Sequence, residues 1–511
     1  SLMQRIFGPP GTGKTTTLLN LVEKELAKGT HPSKIAFFAF TRKAANEAKE
    51  RAATRFGLDP KQDLPFFRTM HSLAFNLTGL KSEQLMTAQH YREVERRIGV
   101  ELIEGSLSRI DQVEEDLSNS LKKESPLLRL ITLARLKQQP LQSEYNQSGL
   151  NNPWLEVDYA ARALVEYKKT HGLFDYTDML ELFADSASTV CPEFKLAMLD
   201  EAQDLSPLQW KIAHAIDNKS DRMYCAGDDD QAIYKWSGAD VEHFINLDGG
   251  SEVLEQSYRV PSNIHTIAER ICNRIKRRFP KKYLPRKAEG IFQQLTDFSG
   301  LDMDEGTWLF LAQANYFLSP VQNFLKSQGY FYEHGGGVRS VREKIRMALG
   351  AWACIQKGLP LSLDAAKAMY SFMNGNGVRV TRGHKKVIGD PEVMLDYEYL
   401  RDFNGLLATP DMGWQEALDK LPSVDVAYLN ALVSRGEDLT KNPRIRLSTI
   451  HGAKGGEADN VVLFTDITAA AEASMEQDPD SMHRVFYVAV TRTRQNLYTI
   501  EPQNFYRSYA L

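Results

Sequence analysis

The sequence predicts an α/β protein whose parallel sheets carry their ligand sites at the carboxyl ends of the strands. Three stretches point there. "QRIF" is followed by "GPPGTGKT" and then by "TTTLLNLVEKELAKG", which reads as a strand, a glycine loop and a helix. "FKLAMLDEAQD" sets an apolar run, Leu196 to Leu199, ahead of two carboxylates, as a buried parallel strand does. Helical apolar spacing fills the long interval between them, at "TAQHYREVERRIGVELI" and "VDYAARALVEYKKTHGLF".

The first element fits GxxxxGK[ST]. A chance match in a chain this long is on the order of 2% at average residue frequencies. In the helix that follows, Leu18, Leu21, Val22 and Leu26 share one face, and Gly29 closes it. Gly11 and Gly13 let backbone N–H groups converge on phosphate oxygens. The helix N-terminus adds positive potential. The run Gly8, Pro9, Pro10, Gly11, Thr12, Gly13, Lys14, Thr15 and Thr16 is therefore expected to hold a triphosphate. Lys14 would reach its β and γ oxygens, and the Thr15 hydroxyl would ligate Mg2+.

The second element supplies the partner carboxylates. Asp200 is placed to hold the metal, and Glu201 to orient and deprotonate an attacking water. "MYCAGDDDQAIYKWSGAD" ends another strand with Asp228 to Asp230 and Gln231, where a Gln can sense a γ-phosphate. "EVLEQSYRVPSNI" offers Tyr258 and Arg259. "IRLSTIHGAKGGEADNVVLF" reads as strand, turn, strand, and "RVFYVAVTRTRQNLYTI" as a helix carrying Arg492 near its end, then a strand. Singly, each arginine reads as a surface residue. Together they suggest guanidinium groups brought from a second domain to transition-state charge.

In order along the chain, "GPPGTGKT", "FFAFTRKAA", "RTMHSLAF", "LDEAQD", "GDDDQAIYKWSGAD", "QSYRVPSNI", "STIHGAKGGE" and "YVAVTRTR" resemble the motifs of superfamily 1 DNA helicases, most of all the UvrD/Rep/PcrA branch. The resemblance implies two RecA-like P-loop domains with parallel sheets, ATP between them and a mainly helical insertion in each. On this chain the first motor domain would take 3–78 and 172–250, with 79–171 as its insertion. The second would take 251–345 and 440–511, with 346–439 inserted. The resemblance further implies that Lys14 and Thr15 hold phosphate and Mg2+, with Asp200 on the metal and Glu201 as base. Gln231 would couple the γ-phosphate to DNA, Arg259 and Arg492 would act as arginine fingers, Tyr258 would stack on adenine and Glu457 would meet the ribose. Two departures stand out. The adenine-reading Gln usual about twenty residues before the loop Lys would fall ahead of residue 1, and Gln4 is misplaced for it; a strict ATP preference would mean that Tyr258 or another group does that reading. Gly456 stands where an apolar residue is usual.

A motor needs a track. Tyr234 and Trp236 lie two apart after Gln231, so an extended segment would point them the same way. Phe40 ends the "KIAFFAF" strand. Each could pack in a core or stack on bases without sequence preference. The resemblance implies DNA contacts for all three, and backbone contacts from Thr41, His71, Thr449 and His451. His71 also reads as a satisfied structural histidine.

Composition frames these readings. Hydrophobic residues make up 42% and charged residues 25%, with net charge −4, so the chain is no polycation and any nucleic-acid contact must be local. Arg270 to Lys287 gathers nine basic residues and no acid, either as a solvated helix and loop or as a phosphate-facing patch. No stretch has the length of a membrane span, and the four cysteines form no CxxC. A cytoplasmic protein is expected, at the nucleoid or in a phage-infected cell, monomeric in isolation. It would act on single-stranded DNA and single-strand/duplex junctions in repair, replication restart, recombination control or phage replication. The rival reading is a single-stranded DNA translocase, or a protein-displacing factor, without processive unwinding. A non-motor ATPase would leave Tyr234, Trp236 and the paired arginines unexplained.

Overall fold

The computed structural model describes residues 3–104 and 123–511, so Ser1, Leu2 and residues 105–122 of the first expected insertion lie outside the described residues. The chain forms two compact units, Ser1–Glu289 with Ala473–Thr491 and Gly290–Glu472 with Arg492–Leu511.

The first unit is built on six strands: β1 (Gln4–Phe7), β2 (Ile35–Ala39), β3 (Phe67–Thr69), β4 (Phe194–Leu199), β5 (Ser220–Gly227) and β6 (Ser251–Val253). Their order is β3-β2-β4-β5-β1-β6, with every pairing parallel. Both faces are covered, which is why the central strands read as continuous apolar runs. In β4, Leu196 and Met198 join the core formed with Leu18, Leu19 and Val22. Ala197 and Leu199 face the opposite core, with Leu73, Phe183 and Ile212. Register then gathers the strand ends. Phe7 pairs with Gly227, and Leu199 with Cys225, so Gly8, Asp200 and Asp228 all leave the sheet at one edge.

Between β3 and β4 the helices Ala88–Ile98, Pro126–Leu136 and Trp154–His171 bury a core of their own, including Tyr91, Val94, Ile131, Val157 and Leu164. Residues 251–289, expected with the second motor domain, lie in the first unit. The physical reason is pairing: β6 extends the sheet beyond β1. Downstream, β7 (Gln256–Pro261) runs against the glycine loop and pairs in parallel with β8 (Leu284–Arg286). The helix Pro479–Val490 is clamped to the same region, since the backbone N–H groups of Lys276 and Arg277 both donate to Asp480 at 3.0 Å.

The second unit has seven strands: β9 (Ile291–Leu295), β10 (Trp308–Ala312), β11 (Tyr332–His334), β12 (Val338–Arg339), β13 (Ile445–Thr449), β14 (Ala458–Phe464) and β15 (Thr493–Ile500). Their order is β12-β11-β13-β10-β14-β15-β9, parallel except for the β11–β12 pair. Trp308, Phe310, Val462 and Phe464 lie in its core. A separate helical core holds Trp352, Met369, Tyr370 and Leu400. It includes the helix Leu363–Ser371, where "LDAAKAMYSFM" predicts one. The "NGNGVRVTRGHKK" stretch forms turns, with Val380 bridged to Leu406, as its glycines lead one to expect.

Candidate active site

The glycine loop turns from β1 into the helix Lys14–Ala27, whose N-cap is Gly13 at φ 82°. Gly11 has φ 72°, and a Cβ there would stand 2.5 Å from the Arg259 Cβ, so the site requires glycine for both conformation and space. The loop is fastened to β7: Tyr258 N–H donates to the Gly11 carbonyl at 2.8 Å, and Ser257 Oγ to the Pro10 carbonyl at 2.8 Å. Thr12 Oγ1 donates to the Pro9 carbonyl at 2.7 Å. Gly8 N–H donates to the Gly227 carbonyl at 2.9 Å, and the Lys14 side chain lies over Gly8. Thr15 sits half-buried in the first helical turn, while exposed Thr16 accepts from Arg51 at 3.0 Å.

Lys14 Nζ reaches both expected carboxylates, Glu201 Oε1 at 2.7 Å and Asp200 Oδ1 at 3.1 Å. Burial opposes the ammonium charge, but the two carboxylates outweigh it and hold the Lys14 pKa above its ordinary value. Burial raises the Asp200 pKa, with Glu201 adding and Lys14 opposing. One cation between two anions leaves a net negative charge, which favours a proton on Asp200. Glu201 holds φ 56°, a left-handed conformation rare outside glycine and costing of order 1–3 kcal/mol. That turn folds its backbone N–H onto Asp200 Oδ1 at 2.8 Å.

A residue that the sequence did not single out ties this trio to Gln231. Gln203 is fully buried. Its Nε2 donates to Glu201 Oε2 at 2.5 Å, and its Oε1 accepts from Asp228 N–H at 3.0 Å. Asp228 Oδ2 in turn accepts from Gln231 Nε2 at 2.7 Å. A bridging amide has no signature in residue type, since only the fold places both its neighbours.

The basic stretch matches neither expectation at two of its positions. The Lys281 side chain is 2% exposed and its Nζ lies 2.5 Å from Asp229, 2.8 Å from Asp230 and 3.5 Å from Asp228. Arg278 grips Asp230 with two bonds, at 2.8 and 2.9 Å. These two cations are neutralised by three buried aspartates that need them.

Beyond Gln231 the chain reaches a small aromatic surface. Tyr234 stacks on Phe40 with centroids 5.8 Å apart, and Trp236 leans on Tyr234 at 6.2 Å. Trp236 is 37% exposed, whereas Phe40 and Tyr234 are half-buried. The segment is not extended: residues Lys235–Ser237 form a 3₁₀ turn, and the rings meet through that turn instead of through strand alternation. Thr41 caps the helix Arg42–Phe56, accepting from Ala44 N–H at 3.0 Å. His71 is buried and stacked on Tyr176 at 3.7 Å, and burial pulls its pKa down to about 3. It is therefore a neutral, packed ring in this conformation.

Arg259 extends from β7 with its guanidinium on the Thr491 carbonyl at 3.3 Å, and Tyr258 beside it is 68% exposed. The remaining expected residues belong to the second unit. Arg492 is buried and donates to the Gly456 carbonyl at 3.1 Å. Glu457 is exposed and paired with Arg494 at 3.0 Å. Thr449 Oγ1 ends β13 and accepts from Gly452 N–H at 3.2 Å, and His451 opens the short turn after it. A Cβ at Gly456 would lie 3.2 Å from the Ala453 carbonyl, so this turn is tight for the apolar residue usual there.

Comparison with known proteins matches residues 4–250 to the UvrD/REP helicase N-terminal domain and residues 444–500 to the UvrD-like helicase C-terminal domain. The chain is 25% identical to an ATP-dependent DNA helicase PcrA of Leuconostoc citreum, over 64% of this chain and 43% of that protein. It is 24% identical to a putative ATP-dependent DNA helicase of Bacillus subtilis, over 84% of this chain and 56% of that one. It is also 24% identical to a DNA helicase II of Rickettsia typhi, over 96% of this chain and 88% of that one. The chain thus spans about half the length of the first two relatives. Among the described residues no helix is long and apolar enough to cross a membrane.

Proposed function

This chain belongs to the UvrD-like helicase family, and from that premise we propose that it is an ATP-hydrolysing DNA helicase that moves 3′→5′ on single-stranded DNA and separates duplex strands. One observation carries the reading. A continuous run of short contacts joins Lys14, Glu201, Gln203, Asp228 and Gln231, and three residues later the chain presents Tyr234 and Trp236. The proposed γ-phosphate sensor and the proposed base-stacking surface therefore lie on adjoining turns of one segment.

The chemistry follows from the contacts. Glu201 has one oxygen under Lys14 and the other under Gln203, so it is a poor base as it stands. A triphosphate in the glycine loop draws Lys14 towards its β and γ oxygens and frees Glu201 to take a proton from the attacking water. Thr15 and Asp200 offer the hard oxygen donors that Mg2+ prefers, and the net negative charge of the Lys14 trio suits a cation. When bound, Mg2+ neutralises phosphate charge as the γ-phosphoryl group leaves. Gln231 senses the γ-phosphate, and its rearrangement on hydrolysis moves the Tyr234–Trp236 turn. The proposal includes Arg259 and Arg492 as stabilisers of transition-state charge, Tyr258 on adenine, Glu457 on the ribose, and DNA contacts from Phe40, Thr41, His71, Thr449 and His451. It also includes the four-part division into two motor domains and two insertions.

The test is ATP hydrolysis with and without single-stranded DNA, together with unwinding of duplexes bearing a 3′ or a 5′ tail. DNA-stimulated hydrolysis and unwinding from the 3′ tail are expected. Unwinding only from a 5′ tail would reverse the polarity. Stimulated hydrolysis with no unwinding would favour a translocase or protein-displacing factor, and hydrolysis indifferent to DNA would remove the motor reading.

A further inference from the structure

We propose that Lys281 is a positioning residue for Gln231: with Arg278 it holds the Asp228–Gln231 turn in the arrangement that senses the γ-phosphate. The inference rests on the ATPase reading above.

Gln231 is tied to Asp228 twice, by Nε2 donating to Asp228 Oδ2 at 2.7 Å and by its backbone N–H donating to the Asp228 carbonyl at 3.0 Å. What holds Asp228 therefore helps to aim Gln231. Asp228, Asp229 and Asp230 are all buried, and three adjacent carboxylates in one turn repel one another. Lys281 Nζ touches all three, and Arg278 takes Asp230 through two bonds. The backbone joins in, with Phe279 N–H donating to Asp229 Oδ2 at 2.7 Å. The ring of Phe279 stacks on Phe7, the last residue of β1 before the glycine loop, with centroids 4.0 Å apart. The brace is therefore seated on the strand that feeds the phosphate loop.

The other end of the same short segment is clamped. Asp480 accepts from the backbone N–H groups of Lys276 and Arg277, and Arg484 donates to the Arg277 carbonyl. Both residues belong to the helix Pro479–Val490, and Thr491, just past its end, carries the carbonyl that holds the Arg259 guanidinium. Residues 276–281 thus bind the γ-phosphate sensor to the helix that positions one proposed finger. A segment that merely filled space would not engage the three aspartates through two cations and a backbone donor.

Charge makes the brace readable. Burial pushes the Asp228 carboxyl up to about 6, with Asp230 and Asp229 adding and Lys281 opposing. Cys272, Tyr283 and Tyr487 are the other titratable groups near this cluster. Protonation of Asp228 at Oδ2 would turn the acceptor for Gln231 into a donor. Hydrolysis should therefore fall on the acid side near pH 6, and removal of the Lys281 charge should move that fall to higher pH.

The experiment compares DNA-stimulated hydrolysis of the full chain with Lys281→Met, Lys281→Arg, Gln231→Ala and Lys281→Met/Gln231→Ala. In Lys281→Met, kcat should fall on the order of 10- to 100-fold with KM for ATP changed less than about twofold, as for a displaced catalytic group. The acid limb should shift upward, and Lys281→Arg should restore much of the rate. In the Gln231→Ala background the same substitution should cost nothing further. If Lys281→Met fails to fold, Lys281→Met/Asp229→Asn, which removes one charge of each sign, is held to the same expectations. Additive losses in the double variant, or a normal kcat in Lys281→Met while the unsubstituted chain is active, would overturn the positioning role alone. No DNA-stimulated hydrolysis in the unsubstituted chain would overturn the parent reading and this one with it.

Discussion

At Lys14 one ammonium serves two carboxylates, and this sets what single substitutions should do. Lys14→Met removes the proposed phosphate ligand and leaves Asp200 and Glu201 without the ammonium that pairs with both. Hydrolysis should fall by roughly 10²–10³-fold, the scale of losing one pre-placed charge donor, as measured in steady-state kcat at saturating ATP. Gln203→Ala strands the Asp228 N–H and frees one Glu201 oxygen. Such an unsatisfied buried group costs about 1–3 kcal/mol, so the thermal midpoint should drop along with hydrolysis. An unchanged midpoint would mean that water replaces the amide. Lys14, Asp200 and Glu201 were legible in the sequence because phosphate chemistry demands those residue types at the end of a strand. Gln203 was not, because its role depends on Asp228, which follows another strand. His71 was open between two readings, and its burial against Tyr176 describes a neutral, packed ring.

Elements carry the next level of constraint. The glycine loop is shaped by β7 as much as by its own glycines, since Gly11 lies against Ser257 and Arg259. Gly11→Ala must adopt a left-handed backbone, at about 1–2 kcal/mol, and displace β7. Affinity for a nucleotide analogue should fall at least about tenfold, measured by titration calorimetry or fluorescence. The aromatic turn predicts a different separation of effects. Trp236→Ala should keep nucleotide binding while weakening single-stranded DNA binding by about 1–3 kcal/mol, the scale of one stacked base. Normal unwinding by that variant would remove Trp236 from the track. Glycine, strand and helix signals located these elements along the chain. They did not show that Lys235–Ser237 is a 3₁₀ turn, nor that Arg278 and Lys281 point inward. The turn is closed by local bonds, from Ser237 to the Tyr234 carbonyl and from Gly238 to the Lys235 carbonyl, whereas the cations are turned inward by Asp228–Asp230, some fifty residues away.

Across the whole molecule, buried charge couples stability to pH. Burial pushes the Glu124 carboxyl up to about 8 from an ordinary 4.5, and one of its oxygens has no hydrogen-bond partner among the described residues. Folded Glu124 keeps its proton through that interval while the unfolded chain releases it. The unfolded state binds fewer protons there, so stability falls as pH rises from about 4.5 to 8. Glu124→Gln should therefore raise the thermal midpoint at pH 8 and change it little at pH 4. An equal rise at both would show that the effect is packing alone. At this scale the sequence by itself determined the fold class and the presence of parallel sheets with separate helical cores, and it singled out the residues proposed to bind phosphate. Periodicity is local and the residue types that grip phosphate are few. The tertiary structure decided which residues share a unit and what joins them. It put 251–289 in the first compact unit, turned two basic residues into a brace and inserted Gln203 between Glu201 and Asp228. Those outcomes depend on strand register and on pairing buried charges, and both are settled only when distant segments meet.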